Sequence, residues 1–184
     1  MTSQKLFVFI NKKNDIAVII RKEKKNKKNN YQIIKWDIQN NIFTEGQWLL
    51  KKQLFIKGCS ISPDGKYFGW LYNTYQHNNE TYAGISLIPN FTAILFGTGG
   101  IGRYLTVQFD KNSMPINNQS FELKSNIILK KSITEIPVYS GLQELNFILK
   151  TGEKIIINGY NLIMDGNIIY DATNNIFTNC SPII

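Results

Sequence analysis

The 184-residue sequence is poor in the residues on which extracellular folds and many enzyme sites depend. Its two cysteines, Cys59 and Cys180, and its single histidine, His77, cannot supply a disulfide framework or a zinc-ligand cluster of normal spacing. Ala occurs only four times, whereas Ile, Val, Thr and the aromatic residues are abundant, a balance that favours strand over helix. We therefore expect an all-β protein of a reducing, intracellular compartment, without a metal or a cofactor.

Long apolar runs are also missing. None approaches the length of a membrane span, and the run from Leu6 to Ile10 is too short for a secretion signal. We therefore expect a cytoplasmic protein with no membrane association. Heavy use of Asn, Ile and Lys indicates an A/T-rich genome, such as those of giant DNA viruses and their satellites, some protists and some bacteria. For a viral protein, the expected location is the host cytoplasm or the virion.

Arginine is scarce as well: the chain has 19 Lys but only two Arg. The net charge of +8 is concentrated in residues 1–57, which hold 13 basic and 4 acidic side chains, whereas residues 58–184 hold 8 and 9. Its densest part supplies the candidate polyanion-binding residues, which are Arg21, Lys22, Lys24, Lys25, Lys27 and Lys28. The alternative is a solvated loop enlarged by codon bias, because specific phosphate recognition usually recruits Arg.

Short runs of β-forming residues, separated by polar turns, predict strands along most of the chain. The first group covers 5–11, 15–21, 31–37 and 42–50, and the second covers 54–62, 66–72, 81–88 and 91–97, with polar loops at 22–30 and 73–80. Weaker strands follow at 103–109, 121–124 and 126–136, and clearer ones at 143–149, 154–160, 162–171 (with an Asp165-Gly166 turn inside) and 176–179. Within the second group, Ser62-Pro63-Asp64-Gly65 predicts a tight hairpin turn in which Gly65 takes a positive φ.

An internal repeat supports a regular architecture. Residues 37–44 match residues 171–178 at six of eight positions, and an aromatic residue, Trp36 or Tyr170, precedes each segment. A weaker counterpart lies at 89–92. The spacing fits units of about 45 residues, a period typical of propeller blades. We divide the single expected domain into units 1–50, 51–100, 101–140 and 141–184.

An aromatic-Asp pair at a strand end, followed by a Ser-Pro-Asp-Gly-Lys-Tyr hairpin, resembles the blades of WD40-like and related β-propellers over residues 31–97. The Gly-His element of a true WD40 repeat is absent. Residues 46–109 are also similar to an uncharacterised bacterial family, through Gln47-Trp48, the 62–65 turn, Ile85-Ser86 and Thr92-Ala93. The resemblance implies a small propeller-like array of about four antiparallel four-stranded units. The alternative fold is a β-sandwich.

Other suggestive residues have structural explanations. Residues 97–102 satisfy G-x-G-x-x-G, but the residues that follow read as strand rather than the helix that a dinucleotide site requires. Cys59 and His77 are the candidates for a nucleophilic pair, but Cys59 lies in a predicted strand and is better explained as a small core residue. Trp36, Trp48 and Trp70 are expected to form the core between blades rather than a sugar-stacking surface.

The sequence thus favours a non-enzymatic binding module, with no catalytic residue assigned. Its basic first third is expected to face an acidic protein or a nucleic acid. The alternatives are a carbohydrate-binding propeller and an enzyme with an unrecognised site. The sequence leaves open whether the protein forms oligomers.

Overall fold

The computed structural model describes residues 5–11, 13–74, 81–99, 106–117, 122–124, 130–131, 140–142 and 146–173. The protein is all-β and contains several antiparallel sheets. Among these residues no helix is long and apolar enough to cross a membrane. The strands, in chain order, are β1 (Leu6–Asn11), β2 (Ile16–Lys25), β3 (Lys28–Asp37), β4 (Ile42–Leu49), β5 (Lys52–Leu54), β6 (Ser60–Ile61), β7 (Tyr67–Thr74), β8 (Thr81–Leu87), β9 (Ala93–Gly99), β10 (Ile116–Asn117), β11 (Glu122–Lys124), β12 (Lys130–Lys131), β13 (Ser140–Leu142), β14 (Asn146–Ile148), β15 (Lys154–Asn158), β16 (Asn161–Met164) and β17 (Asn167–Asp171).

Three sheets are built mainly from consecutive strands. The first has the order β13-β1-β2-β3-β4, the second β11-β9-β8-β7-β5 with β6 also paired to β7, and the third β14-β15-β16-β17. The four strands predicted in the first group are therefore confirmed, and each pairs with its neighbour in the chain. A short parallel pair, β10 with β12, lies apart from them.

The first sheet is buried on both faces. Phe9, Ile20 and Ile33 on one face pack in the same apolar cluster as Phe68 and Trp70 of the second sheet. The residues that alternate with them contribute to a second cluster with the third sheet, a consequence of the two-residue period of a strand. This double burial explains why β1 and the first half of β2 are continuous apolar runs instead of alternating ones.

The turn at Ser62 forms as predicted. The backbone amide of Gly65 donates to the Ser62 carbonyl (2.9 Å), and Gly65 adopts a φ of +72°. The Ser62 hydroxyl donates to the Asp64 carboxylate (2.6 Å), which also accepts the backbone amide of Lys66 (3.1 Å). Asn11 donates to the carbonyls of Ser62 and Pro63, so the turn is fastened to the first sheet. These contacts explain both polar side chains of the turn without invoking chemistry.

Two predicted strands differ from the structure. The strand expected at 54–62 is interrupted by a 3₁₀ turn, Ile56–Gly58, where the Gly58 carbonyl accepts the backbone amide of Val107 (3.0 Å). The described part of the strand expected at 103–109 makes only an isolated bridge, Phe109 to Pro115. Val107 and Phe109 instead cover the outer face of the second sheet, so their apolar side chains reflect packing and not regular strand pairing.

In both best-matched copies of the repeat, an aspartate ends a strand and accepts hydrogen bonds from a residue that follows it. Asp37 ends β3 and accepts both the backbone amide and the side-chain amide of Asn40, while Asp171 ends β17 and accepts the backbone amide of Thr173. These hydrogen bonds lower the pKa of both carboxyl groups, chiefly through the Asn40 and Thr173 side chains respectively. Residues 174–178, which complete the second copy, lie outside the described residues.

Candidate polyanion interface

The lysine-rich segment is a long β-hairpin. The polar loop predicted at 22–30 is wrong, because β2 and β3 stay paired as far as Lys25 opposite Lys28. Asn26 and Lys27 form the two-residue turn, with φ values of +51° and +64°, the positive values that a type I′ hairpin turn requires. Lys has a low strand propensity, but pairing with a neighbouring strand overrides that preference.

The end of this hairpin is a cluster of exposed cations. We call residues 24–28 the lysine tip, and all five are exposed. Within the described residues, none of its four lysines forms an ion pair; the salt bridges described there join Arg21 to Glu23 and Lys150 to Asp15. Lys25 and Lys28 oppose each other directly across the strands, a like-charge arrangement that is unfavourable to folding. The tip therefore carries four positive charges within a few residues, with no ion-pair partner in the part of the chain that the structure describes.

Two of the four carboxylates of residues 1–57 lie at the far end of the hairpin, whereas Glu23, next to the tip, pairs with Arg21. Asp15 immediately precedes β2, and Asp37, paired with Ile16, closes the same end of the hairpin. Of the remaining acidic side chains of residues 1–57, Glu23 forms a salt bridge with Arg21, and Glu45 accepts hydrogen bonds from Gln32 and Tyr170. A strand advances about 3.3 Å per residue, so the lysine tip lies roughly 30 Å from Asp37. This separation concentrates the positive field at one end of the sheet.

The base of the hairpin is attached to the second sheet. The Asn29 side chain donates to Gln53 Oε1 (2.7 Å), and the backbone amide of Lys51 donates to Asn30 Oδ1 (3.0 Å). Lys52, next in the chain, places its Nζ 5.0 Å from the centre of the Tyr72 ring. These contacts hold the hairpin in place and bring two more lysines, Lys51 and Lys52, to its base.

Arg21 has a different role from the lysines with which it was grouped. Its side chain is buried, and its guanidinium carbon lies 4.9 Å from the ring centre of Trp48 and 5.0 Å from that of Tyr160. Nε donates to the carbonyl of Ala172 (2.8 Å), and Nη1 pairs with Glu23 (3.1 Å). Arg21 therefore joins the first sheet to the third, while the cations that face solvent are lysines.

Lys27 carries a positive charge and also has a strained, left-handed backbone conformation. Lysine disfavours the left-handed conformation, and glycine is the usual residue at the second position of a type I′ turn. We expect Lys27→Gly to stabilise the fold by about 0.5 kcal/mol, because relief of strain outweighs the added freedom of the unfolded chain. Urea unfolding measures this gain. The same variant should bind a polyanion more weakly, with a salt slope shallower by about 1.

A Lys27→Gln variant separates the two contributions. It removes the charge but, like lysine, disfavours the left-handed region, so it should weaken polyanion binding without the gain in stability. A destabilised Lys27→Gly protein would show that the turn does not have the type I′ conformation.

The remaining candidate residues do not assemble a reactive site among the described residues. Cys59 is buried, burial raises the pKa of its thiol to about 12, and its Sγ contacts the carbonyl of Phe55 at 3.4 Å. His77, Cys180, Arg103 and Gly100 to Gly102 lie outside the described residues, whereas Gly97 to Gly99 belong to β9. No group of three or more His, Cys, Asp or Glu that could hold a metal ion occurs in the described part of the chain.

The three tryptophans form part of the core, as expected. Trp36, Trp48 and Trp70 are each at most 1% exposed. They offer no free ring face on which a sugar could stack, so the observation that suggested carbohydrate binding is accounted for by packing.

No family model, curated protein or solved structure matches the chain. The interpretation of the lysine hairpin therefore rests on its own geometry and charge.

Proposed function

We propose that the protein is a non-catalytic binding module whose lysine tip engages a polyanionic partner. The single observation that carries the proposal is the exposed set Lys24, Lys25, Lys27 and Lys28, which form no ion pair with any described residue and are held on a β-hairpin at the basic end of the first sheet. Such a cluster is unfavourable for the isolated protein because its charges repel one another. An anionic partner would remove that repulsion on binding.

Lysine suits this role in a particular way. An ammonium group is a compact point charge on a flexible stem, and it neutralises phosphates or carboxylates without demanding one geometry. We therefore propose recognition of charge density rather than of one defined small anion. Acidic protein surfaces and nucleic acids both present such density.

For the architecture we propose a small propeller of WD40-like blades. Three observations support it: sheets made of consecutive strands, a first sheet packed between two others, and an aromatic-Asp pair at the ends of both β3 and β17. In such an array the loops and hairpins at one end of the blades form a common binding surface. The lysine tip is one of those projections.

The proposal is tested with two charge-matched variants. The tip variant replaces Lys24, Lys25, Lys27 and Lys28 with Gln, and the control variant makes the same change at four exposed lysines elsewhere, Lys13, Lys66, Lys111 and Lys154. We expect the tip variant to lose at least about 10-fold in affinity for fluorescent heparin, duplex DNA or polyglutamate, measured by anisotropy at low salt. The control variant should lose less than about 3-fold, because its lysines do not form the cluster.

Equal losses in the two variants would mean that binding follows net charge, and the lysine tip would then have no special role. Absence of binding to all three polyanions by the native protein would refute the proposed function itself. Circular dichroism of both variants confirms that each remains folded.

A further inference from the structure

The shape of the lysine tip restricts which polyanion it fits. The tip is a two-stranded ribbon whose backbones are about 4.8 Å apart, and its exposed part advances about 7 Å from the Lys24–Asn29 pair to the turn. The major groove of B-form DNA is about 12 Å wide and about 8.5 Å deep, and it admits a two-stranded β-ribbon. The projecting backbone of the tip is thus short enough to fit within the depth of that groove.

Lysines occur on both faces of the ribbon. Lys25 and Lys28 share the face that continues from Arg21, while Lys22 and Lys24 share the opposite face, which continues from Ile20. Lys27 lies in the turn between them. A ribbon that rested on a flat acidic surface would need cations on one face alone. Cations on both faces suit a groove with a phosphate backbone along each wall.

We propose that the partner of the lysine tip is duplex DNA, with the β2–β3 hairpin inserted in the major groove. This inference rests on the proposed function and adds to it the class of polyanion and the mode of docking. Lys25 and Lys28 contact one phosphate backbone, and Lys22 and Lys24 contact the other. Because lysine-phosphate contacts do not distinguish bases, this binding is largely independent of sequence.

Double-stranded RNA is the informative comparison. Its A-form major groove is deep and too narrow for protein side chains to read, although its charge density resembles that of DNA. A ribbon that requires an open major groove should discriminate between the two duplexes. A protein attracted by charge alone should not.

The experiment measures the affinity of the full chain, by fluorescence anisotropy at one fixed ionic strength, for a 20-base-pair DNA duplex, the RNA duplex of the same sequence, the single DNA strand and polyglutamate. We expect the DNA duplex to bind at least about 10-fold more tightly than each of the others. Methyl green, a major-groove ligand, should compete with the protein, whereas the minor-groove ligand distamycin should not. Two double variants, Lys22→Gln with Lys24→Gln and Lys25→Gln with Lys28→Gln, should each weaken DNA binding by a similar factor.

Equal affinity for the DNA and RNA duplexes, tighter binding of the single strand or of polyglutamate, or competition by distamycin alone would overturn the major-groove inference. A loss confined to one of the two double variants would also overturn it, because it would assign the contact to one face of the ribbon. In all these outcomes a lysine-dependent, salt-sensitive interaction would leave the proposed function standing. Failure of every polyanion to bind would remove both.

Discussion

Replacement of Arg21 by methionine is expected to lower the free energy of unfolding by about 3 kcal/mol, although the new side chain is apolar and of similar length. The substitution removes a charge-assisted hydrogen bond to the buried Ala172 carbonyl. A hydrogen bond of this kind contributes about 1.5 to 3 kcal/mol to the stability of the fold. It also removes the guanidinium from between two aromatic rings, where each contact contributes about 0.5 to 1 kcal/mol or more. In a chain of this length the melting temperature should fall by roughly 6 to 12 °C.

Lys24→Met is the matched control for this substitution. Lys24 is exposed on the same strand, and its replacement should change stability by less than about 0.5 kcal/mol. Urea denaturation followed by tryptophan fluorescence measures both variants, and Trp48 reports directly on the site because its ring contacts the guanidinium. If Arg21→Met were as stable as Lys24→Met, Arg21 would not hold the first and third sheets together.

Gly46→Ala is expected to be at least as damaging, at about 3 kcal/mol or more. A Cβ at this position would lie 1.8 Å from the carbonyl oxygen of Pro89 and 2.7 Å from its Cβ. The backbones cannot separate cheaply, because the amide of Gln47 donates to that same Pro89 carbonyl (3.2 Å). Gln47 Oε1 also accepts the amides of Phe91 and Thr92, both at 2.8 Å. Overpacking here would therefore separate β4 from the β8–β9 connection.

Gly166→Ala provides the comparison. Its backbone has a φ of +86°, but a Cβ there meets nothing within 4 Å, so its cost is limited to the conformational strain of about 1 to 2 kcal/mol. Thermal unfolding of the two variants ranks the effects. A Gly46→Ala protein that melts at or above the temperature of Gly166→Ala would contradict the close approach of the two backbones.

Local turn chemistry predicts much of this fold. Asp165 and Gly166 both take positive φ values between β16 and β17, as expected from an Asp-Gly pair, and the Ser62 turn forms for similar reasons. The same reasoning does not predict the Asn26–Lys27 turn, because the usual hairpin signal has glycine at the second position. The wrong prediction of a polar loop at 22–30 therefore arises from Lys27, which adopts a backbone conformation that lysine disfavours.

The candidate site was only partly accessible to sequence reasoning. Charge density alone identified the lysines, but it also placed Arg21 among them. Once β2 is recognised as a continuous strand, its two-residue alternation places Arg21 on the same buried face as Ala17 and Ile19. Its partners Trp48 and Tyr160 are distant in the chain, and local pattern reasoning does not detect such contacts. The contact between Val107 and the second sheet is not predicted by the sequence for the same reason.

The most direct test of the central claim is the salt dependence of binding to a DNA duplex. The logarithm of the association constant should fall linearly with the logarithm of the salt concentration, with a slope of about −4 to −5 for four to six lysine-phosphate contacts. For the tip variant, with Lys24, Lys25, Lys27 and Lys28 replaced by Gln, the slope should be shallower by about 3 to 4. A slope near zero in the native protein, or an unchanged slope in the tip variant, would contradict the account.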